Sequence, residues 1–387
     1  MMAKVTQHQM DQTEASIIDV YQHLEQQLFE DFIKRLQQHG IEDVDKTSIL
    51  QWQMEVMNDL HLVNSDVISE TSKATGIARA KLIELFRQQG YKVVDQEYTR
   101  ATEAAGKQVS AMQVNMTKQV LDGYLKQTFL ELDNNVNQTL LSTNYGTNAA
   151  TQTFQQIVKE TTADVLAGLR TPDQALKATI YRWRDKGIDL GLVDKGGHRW
   201  SLESYARLVV DNTTRRAFQA VRDQAADDVG VDTFVMSSHD ASREACAPIQ
   251  GKLVTTRPES FTDARTGERF ESLYDHGYGT PSGTFGINCH HLKWLYVPGA
   301  SSNNQPQYDP AEAIAKGDMV AKQRELERRI RAYKQKQALA EKMSDTDGVM
   351  RNQLLVRRNQ AALRKLVSDH SYLHRDYTRE KVFARPE

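Results

Sequence analysis

No proline occurs before Pro172. Proline is the residue that most reliably stops a helix, so a leading stretch of 171 residues without one, and with few glycines, is predicted to be mostly helical. Within it Ile17, Tyr21, Leu24, Leu28, Phe32 and Leu36 recur at steps of three or four. That spacing lays them on one stripe of a helix that should end near Gly40. A second helical stretch is expected from Ser48 to Gln89, broken at Gly76 and capped by Gly90, and a third from Asp95 to Leu141. Gln and Asn are abundant throughout, so each helix should bury only a narrow face, against its neighbours or against a partner.

Thr171-Pro172-Asp173 has the chemistry of a helix start, with Thr as N-cap and Pro at the first position. The helix it opens should carry Ala175 to Trp183. Gly196-Gly197 marks a turn. Ser201 is placed to cap a long helix from Leu202 to Val229, closed by Gly230, and Thr233 to Met236 reads as a short strand. From Gly251 to Gly299 there are seven glycines and three prolines, a turn-rich unit with small strands, of which His291 to Val297 is the last. Two more helices follow Asp309-Pro310, with a capped turn at Ser344 to Gly348 between them and an i,i+4 pair, Glu327 and Arg331, on the first.

Bulk properties narrow the class. Mean hydropathy is −0.61, low for a compact globular enzyme and suited to long, solvated helices. No run of 18 apolar residues exists, so no membrane span is expected. MMAKVTQHQMDQTE has no apolar core, so no secretory signal is expected and synthesis is placed in the cytoplasm. The net charge of −2 conceals an asymmetry. Met319 to the end holds 17 Lys and Arg against 9 Asp and Glu, while the rest holds 32 against 42. A basic tail on an acidic body suggests two kinds of partner.

Four of the eleven histidines and both cysteines lie between His239 and His291. Thiolate and imidazole are the ligands that zinc prefers, and four of them close a structural site. The candidate set is His239, Cys246, Cys289 and His291, with His290 or His276 able to replace one member. The zinc would be structural, because a small glycine-rich unit with little apolar core gains most from a metal. Other readings remain open. Buried thiols often act as small hydrophobes. A Cys246–Cys289 disulfide is disfavoured in a reducing compartment. A cysteine nucleophile would need an orienting group and an oxyanion site that cannot be read here. His239, Asp240 and Arg243 fit a polar network that holds a loop. GYGTPSGTFG lacks the helix start and the Lys-Ser/Thr pair of a phosphate-binding loop.

Ser238-His239, Arg243, Cys246, Gln250-Gly251-Lys252, Gly277-Tyr278-Gly279-Thr280, Gly286, Asn288-Cys289 and His291 together resemble the phage minor capsid protein 2 family, itself similar to phage head-morphogenesis proteins. Two positions depart from the usual pattern. Cys246 stands where the family usually has histidine, and His290 where it usually has arginine. Cysteine and histidine share little as packing residues but both bind metals, so the exchange favours the zinc reading. The likeness extends from Thr171 to Val382, through Trp200-Ser201-Leu202, Tyr205-Ala206 and Thr213 to Ala217, to the basic end.

The resemblance implies a structural minor capsid protein of a tailed phage, located inside the head near the portal and assisting head assembly and DNA packaging or delivery. The partners implied are the portal protein, major capsid or scaffold components, and packaged double-stranded DNA, with no membrane during assembly. Charge then suggests which residues would neutralise phosphates without reading sequence: Arg328, Arg329, Arg331, Lys334, Lys336, Arg357, Arg358, Arg364 and Lys365. The plainer alternative is solvated helix faces balanced by Glu325, Glu327 and Glu341. The competing function is a zinc-dependent hydrolase or toxin-like transferase built on residues 238–299, with Glu268 and Glu271 as candidate bases. A third is a DNA-binding accessory protein without portal contact. The expected fold is mainly α with a small α+β unit. Residues 1–170 should form an extended helical region for portal or self-association. Residues 171–308 should form a compact, loop-rich core domain with short strands and the His/Cys cluster. Residues 309–387 should form a basic helical hairpin.

Overall fold

The computed structural model describes residues 7–141, 148–193, 197, 199–287 and 289–382. The fold is mainly α, with one five-stranded and one two-stranded sheet among the described residues. The helices are α1 (Gln7–Gln37), α2 (Ile49–Asn58), α3 (Leu60–Ile83), α4 (Gly90–Ala105), α5 (Ala111–Leu132), α6 (Gln138–Leu140), α7 (Ala149–Leu166), α8 (Pro172–Lys186), α9 (Leu202–Val229), α10 (Pro310–Lys342) and α11 (Thr346–Asp369). The strands are β1 (Asp189–Val193), β2 (Arg199–Ser201), β3 (Thr233–Met236), β4 (Leu253–Thr255), β5 (Phe261–Thr262), β6 (Arg269–Ser272) and β7 (Lys293–Leu295). Two compact units emerge from the packing.

The first unit comprises Met1–Glu14, Leu82–Thr128 and Val210–Gln323. Its sheet runs β5-β6-β4-β3-β7. β3 sits between β4 and β7, antiparallel to both, with Phe234 opposite Val254 and Leu295. All four residues of β3 are buried, because both faces of the sheet are covered. Phe234 and Met236 pack on one face with Ala226, Cys246, Ile249, Val254, Leu273 and Cys289. Val235 packs on the other with Phe270 and Tyr296. Alternation along a strand produces this division.

The second unit comprises Ala15–Lys81, Phe129–Val209 and Arg324–Glu387. The expected stripe of α1 is its core: Ile17, Tyr21, Leu24, Leu28, Phe32 and Leu36 are each 0–2% exposed. Phe32 sets its ring edge-on to Phe29 and to Phe154 of α7. Thr171 opens α8 with a full capping box, its hydroxyl accepting from Gln174 N–H while the Gln174 side chain accepts from Thr171 N–H, and Pro172 follows. α10 and α11 form the expected hairpin around Ile330, Val356 and Leu363, and Asp345 caps α11 by accepting from Gly348 N–H.

Several sequence expectations are corrected. Gly76 does not break a helix; it lies on the exposed side of α3, with nothing near its missing Cβ. Gly90 does not cap one. It has φ −61° and ψ −43°, inside a helical run carried on by a π-helical segment, Glu84–Gln89. A Cβ at Gly90 would stand 2.9 Å from Leu121 Cδ1, so close packing against α5 is the reason for glycine there. The third N-terminal stretch is interrupted: Gly106, at φ +63°, ends α4 before α5 begins. Glu327 pairs with Arg324 at 2.8 Å and also lends its charge to Arg331, whose guanidinium donates to Arg379 O. Gly196 lies outside the described residues.

Candidate metal centre and basic surface

The end of β3 and the start of β7 are neighbours, and this brings the two halves of the His/Cys cluster together. Ser237 N–H donates to Leu292 O at 2.7 Å, and Leu292 N–H donates to Ser237 Oγ at 2.8 Å. His291 is thereby held beside the exit of β3. Residues 243–250 then form a helical turn, with Ala247 N–H donating to Arg243 O and Gln250 N–H to Cys246 O. Arg243 fastens that turn to the glycine-rich loop by donating to Gly283 O at 2.5 Å and Ile287 O at 2.7 Å. Thr284 Oγ1 donates to Ala245 O at 2.8 Å. The loop closes tightly on itself, since a Cβ on Gly283 would fall 1.9 Å from Gly277 O.

Cys246, Cys289 and His291 converge, each buried, with their donor atoms all within 4.8 Å of one another. Both cysteines are free thiols. Cys246 Sγ is 3.6 Å from Cys289 Sγ, which is 3.6 Å from His291 Nδ1. A tetrahedral zinc with its usual bond lengths sets two sulfurs about 3.8 Å apart, and a sulfur and an imidazole nitrogen about 3.6 Å apart. The donor set and its spacing therefore fit such an ion. The other nitrogen, His291 Nε2, is 3.1 Å from Gln250 Oε1, an acceptor that fixes the ring so that Nδ1 points inward. Gln250 Oε1 also accepts from His239 N–H at 3.0 Å. The Cys246 thiol is held well below its ordinary value. The chief cause is its hydrogen bond with Cys289, helped by His291 and Arg243, while the shared proton pushes Cys289 up.

The remaining histidines are placed differently. His239 is exposed, its ring edge-on to His291 at a centroid distance of 4.6 Å, with Nε2 3.4 Å from Ser237 Oγ. His276 pairs with Glu271 at 3.5 Å. His290 is exposed and faces the charges of Arg215 and Asp211. None of these three histidines, the predicted ligand His239 included, belongs to the converging trio. Asn288, quoted for the family likeness, lies outside the described residues. Glu268 accepts from Tyr296 Oη through one oxygen while its other, Oε2, is buried without a hydrogen-bond partner, and Glu271 accepts from Lys252 Nζ at 2.9 Å.

One buried ion pair escaped sequence reasoning. Lys293 is fully buried, 2.6 Å from Asp223 and ringed by Phe234, Tyr278 and Phe285 with its nitrogen 4.7, 4.7 and 5.6 Å from their centroids. The available signal was a lysine on the same strand parity as Leu295, which packs into the core.

The tail cations divide into two groups. Arg331 donates to Arg379 O, Lys334 to Glu380 O at 2.7 Å, and Lys336 pairs with Asp185 at 2.6 Å. Arg329 pairs with Glu325 at 2.5 Å and remains exposed, as does Arg328. Arg357, Arg358, Arg364 and Lys365 are exposed on α11, with no ion pair among the described residues. From Gly348 to Ser368 that helix has no Asp or Glu at all. No helix of the described residues is long and apolar enough to cross a membrane.

A family model for phage minor capsid protein 2 matches residues 5–368. The "structural protein" of Lactococcus phage LL-H is 37% identical to the chain over 367 residues, covering 94% of this chain and 98% of that protein. The "structural protein" of Lactococcus phage mv4 is 42% identical over 120 residues, covering 31% of this chain and 98% of that protein. No solved structure matches.

Proposed function

Because the chain belongs to the phage minor capsid protein 2 family, and is thus a structural protein of a virion, we propose that it sits inside the head near the portal and assists head assembly and DNA packaging or delivery. Residues 1–170 would meet the portal protein, other head components or further copies. Two exposed apolar groupings support this: Met112, Met116 and Val120 on α5, and Leu50 and Met54 on α2. Residues 171–308 would be the core that holds the His/Cys cluster, and residues 309–387 would face packaged DNA.

The observation that carries the DNA contact is the acid-free, outward face of α11. Among the described residues Arg357, Arg358, Arg364 and Lys365 form no ion pair, which leaves them to neutralise phosphates without sequence preference. Crosslinking of assembled heads, read by mass spectrometry, tests the location. Crosslinks from the N-terminal helices to portal subunits support it; crosslinks only to tail or outer-surface proteins overturn it.

Cys246, Cys289 and His291 would hold a structural zinc, with His239 the fourth ligand after a rotation of its exposed side chain. Such an ion would tie the 243–250 turn and the glycine-rich loop to the edge of β7. A structural role is supported by the burial of all three converging side chains, as a closed site requires. Metal analysis of purified protein should find about one zinc per chain, and a value below about 0.3 ends this assignment.

A further inference from the structure

We propose that Cys246 and Cys289 are a redox pair that closes to a disulfide when the finished particle leaves the cell. The two sulfurs are 3.6 Å apart, both thiols are free, and no third cysteine exists in the chain to compete. They lie 43 residues apart in sequence, one on the 243–250 turn and one on the segment before β7. Neither sits within a strand, so the approach of about 1.5 Å that bonding requires falls on two unbranched side chains and on the turn and loop that carry them.

A virion structural protein is made in a reducing cytoplasm and ends in an oxidising exterior. The reaction balances with dioxygen as oxidant. The two thiols lose two protons and two electrons, one S–S bond forms, and dioxygen takes up both protons and electrons as hydrogen peroxide. The disulfide would join covalently the two segments that Arg243 already fastens by hydrogen bonds. The part that concerns zinc rests on the metal reading above: a bound ion would withhold both sulfurs from oxidation and would be released as they pair. The thiol chemistry itself does not depend on it.

The test uses the full chain, reduced without oxygen and divided into zinc-loaded and chelator-treated samples. Each is exposed to air-saturated buffer or to diamide, then denatured with N-ethylmaleimide and weighed intact. The chelated sample should become about 2 Da lighter, take up no maleimide and yield a peptide linking Cys246 to Cys289, all reversed by dithiothreitol. Cys289→Ser should take up one maleimide under every condition. The zinc-loaded sample should oxidise at least about tenfold more slowly. Two maleimides per chain after oxidation of the chelated sample, or disulfides only between chains, overturn the proposal. If zinc fails to bind and the internal disulfide still forms, the metal reading fails and the redox pair stands. If zinc binds and no disulfide forms after its removal, the reverse holds.

Discussion

Lys293 Nζ stands 2.6 Å from Asp223 Oδ1, with the lysine side chain fully buried and the aspartate side chain 29% exposed. The asymmetry sets which partner is costly to lose. Asp223→Ala leaves a buried ammonium without a counter-charge and should cost about 3–5 kcal/mol. Lys293→Met keeps the packing against Phe234, Tyr278 and Phe285 and leaves a carboxylate that water can reach, so it should cost about 1 kcal/mol. Urea unfolding of both variants checks this order. Equal losses would show that Asp223 is shielded from water as fully as Lys293.

The glycines separate by what a methyl group would meet. Gly283→Ala drives a Cβ into Gly277 O and should destabilise the first unit by about 3 kcal/mol. Gly76→Ala meets nothing on an exposed helix face and should stabilise α3 by about 0.5–1 kcal/mol. Thermal unfolding of the pair gives opposite signs if the loop closure and the unbroken α3 are as described.

Burial raises Glu25 from its ordinary 4.5 to about 7, with Arg184 and the Ile188 N–H only partly opposing it. Between those values the folded chain holds a proton that the unfolded chain has released. Stability from this group is therefore present below about pH 4.5 and lost as pH rises through about 7. The unfolding free energy of wild type minus that of Glu25→Gln should fall across this window, by no more than about 3 kcal/mol. A difference that rises with pH would falsify the assignment.

For α11, replacing Arg357, Arg358, Arg364 and Lys365 by Gln should weaken binding to duplex DNA and flatten its salt dependence. If each touches a phosphate, the log–log slope should drop by about 3 to 4. Lys336→Gln should change the slope by less than about 1, because Asp185 already neutralises that charge. Gel-shift titrations at several salt concentrations read both values. An unchanged slope in the fourfold variant removes α11 from the DNA contact.

Local signals carried much of the architecture. The stripe from Ile17 to Leu36, the Thr171-Pro172 start, α9 from Leu202 to Val229 and the hairpin turn at Asp345 are all written in periodicity and capping chemistry, which act over a few residues. Gly76 and Gly90 misled for the same local reason, since glycine breaks helices by default and only packing against α5 explains Gly90.

The sequence by itself determined the family and the residue types at the His/Cys cluster. Tertiary structure decided which of them meet. Pairing of β3 with β7 brings Cys246, Cys289 and His291 together, sends His290 toward Arg215 and Asp211, and sets His239 on the exposed edge. It also decided which cations stay free. Arg331, Lys334 and Lys336 find partners far along the chain, while the exposed cations of α11 form no ion pair among the described residues. Spacing cannot reveal such outcomes, because a charge or a ligand is satisfied by what stands nearest in space, and that is set by the packing of the whole unit.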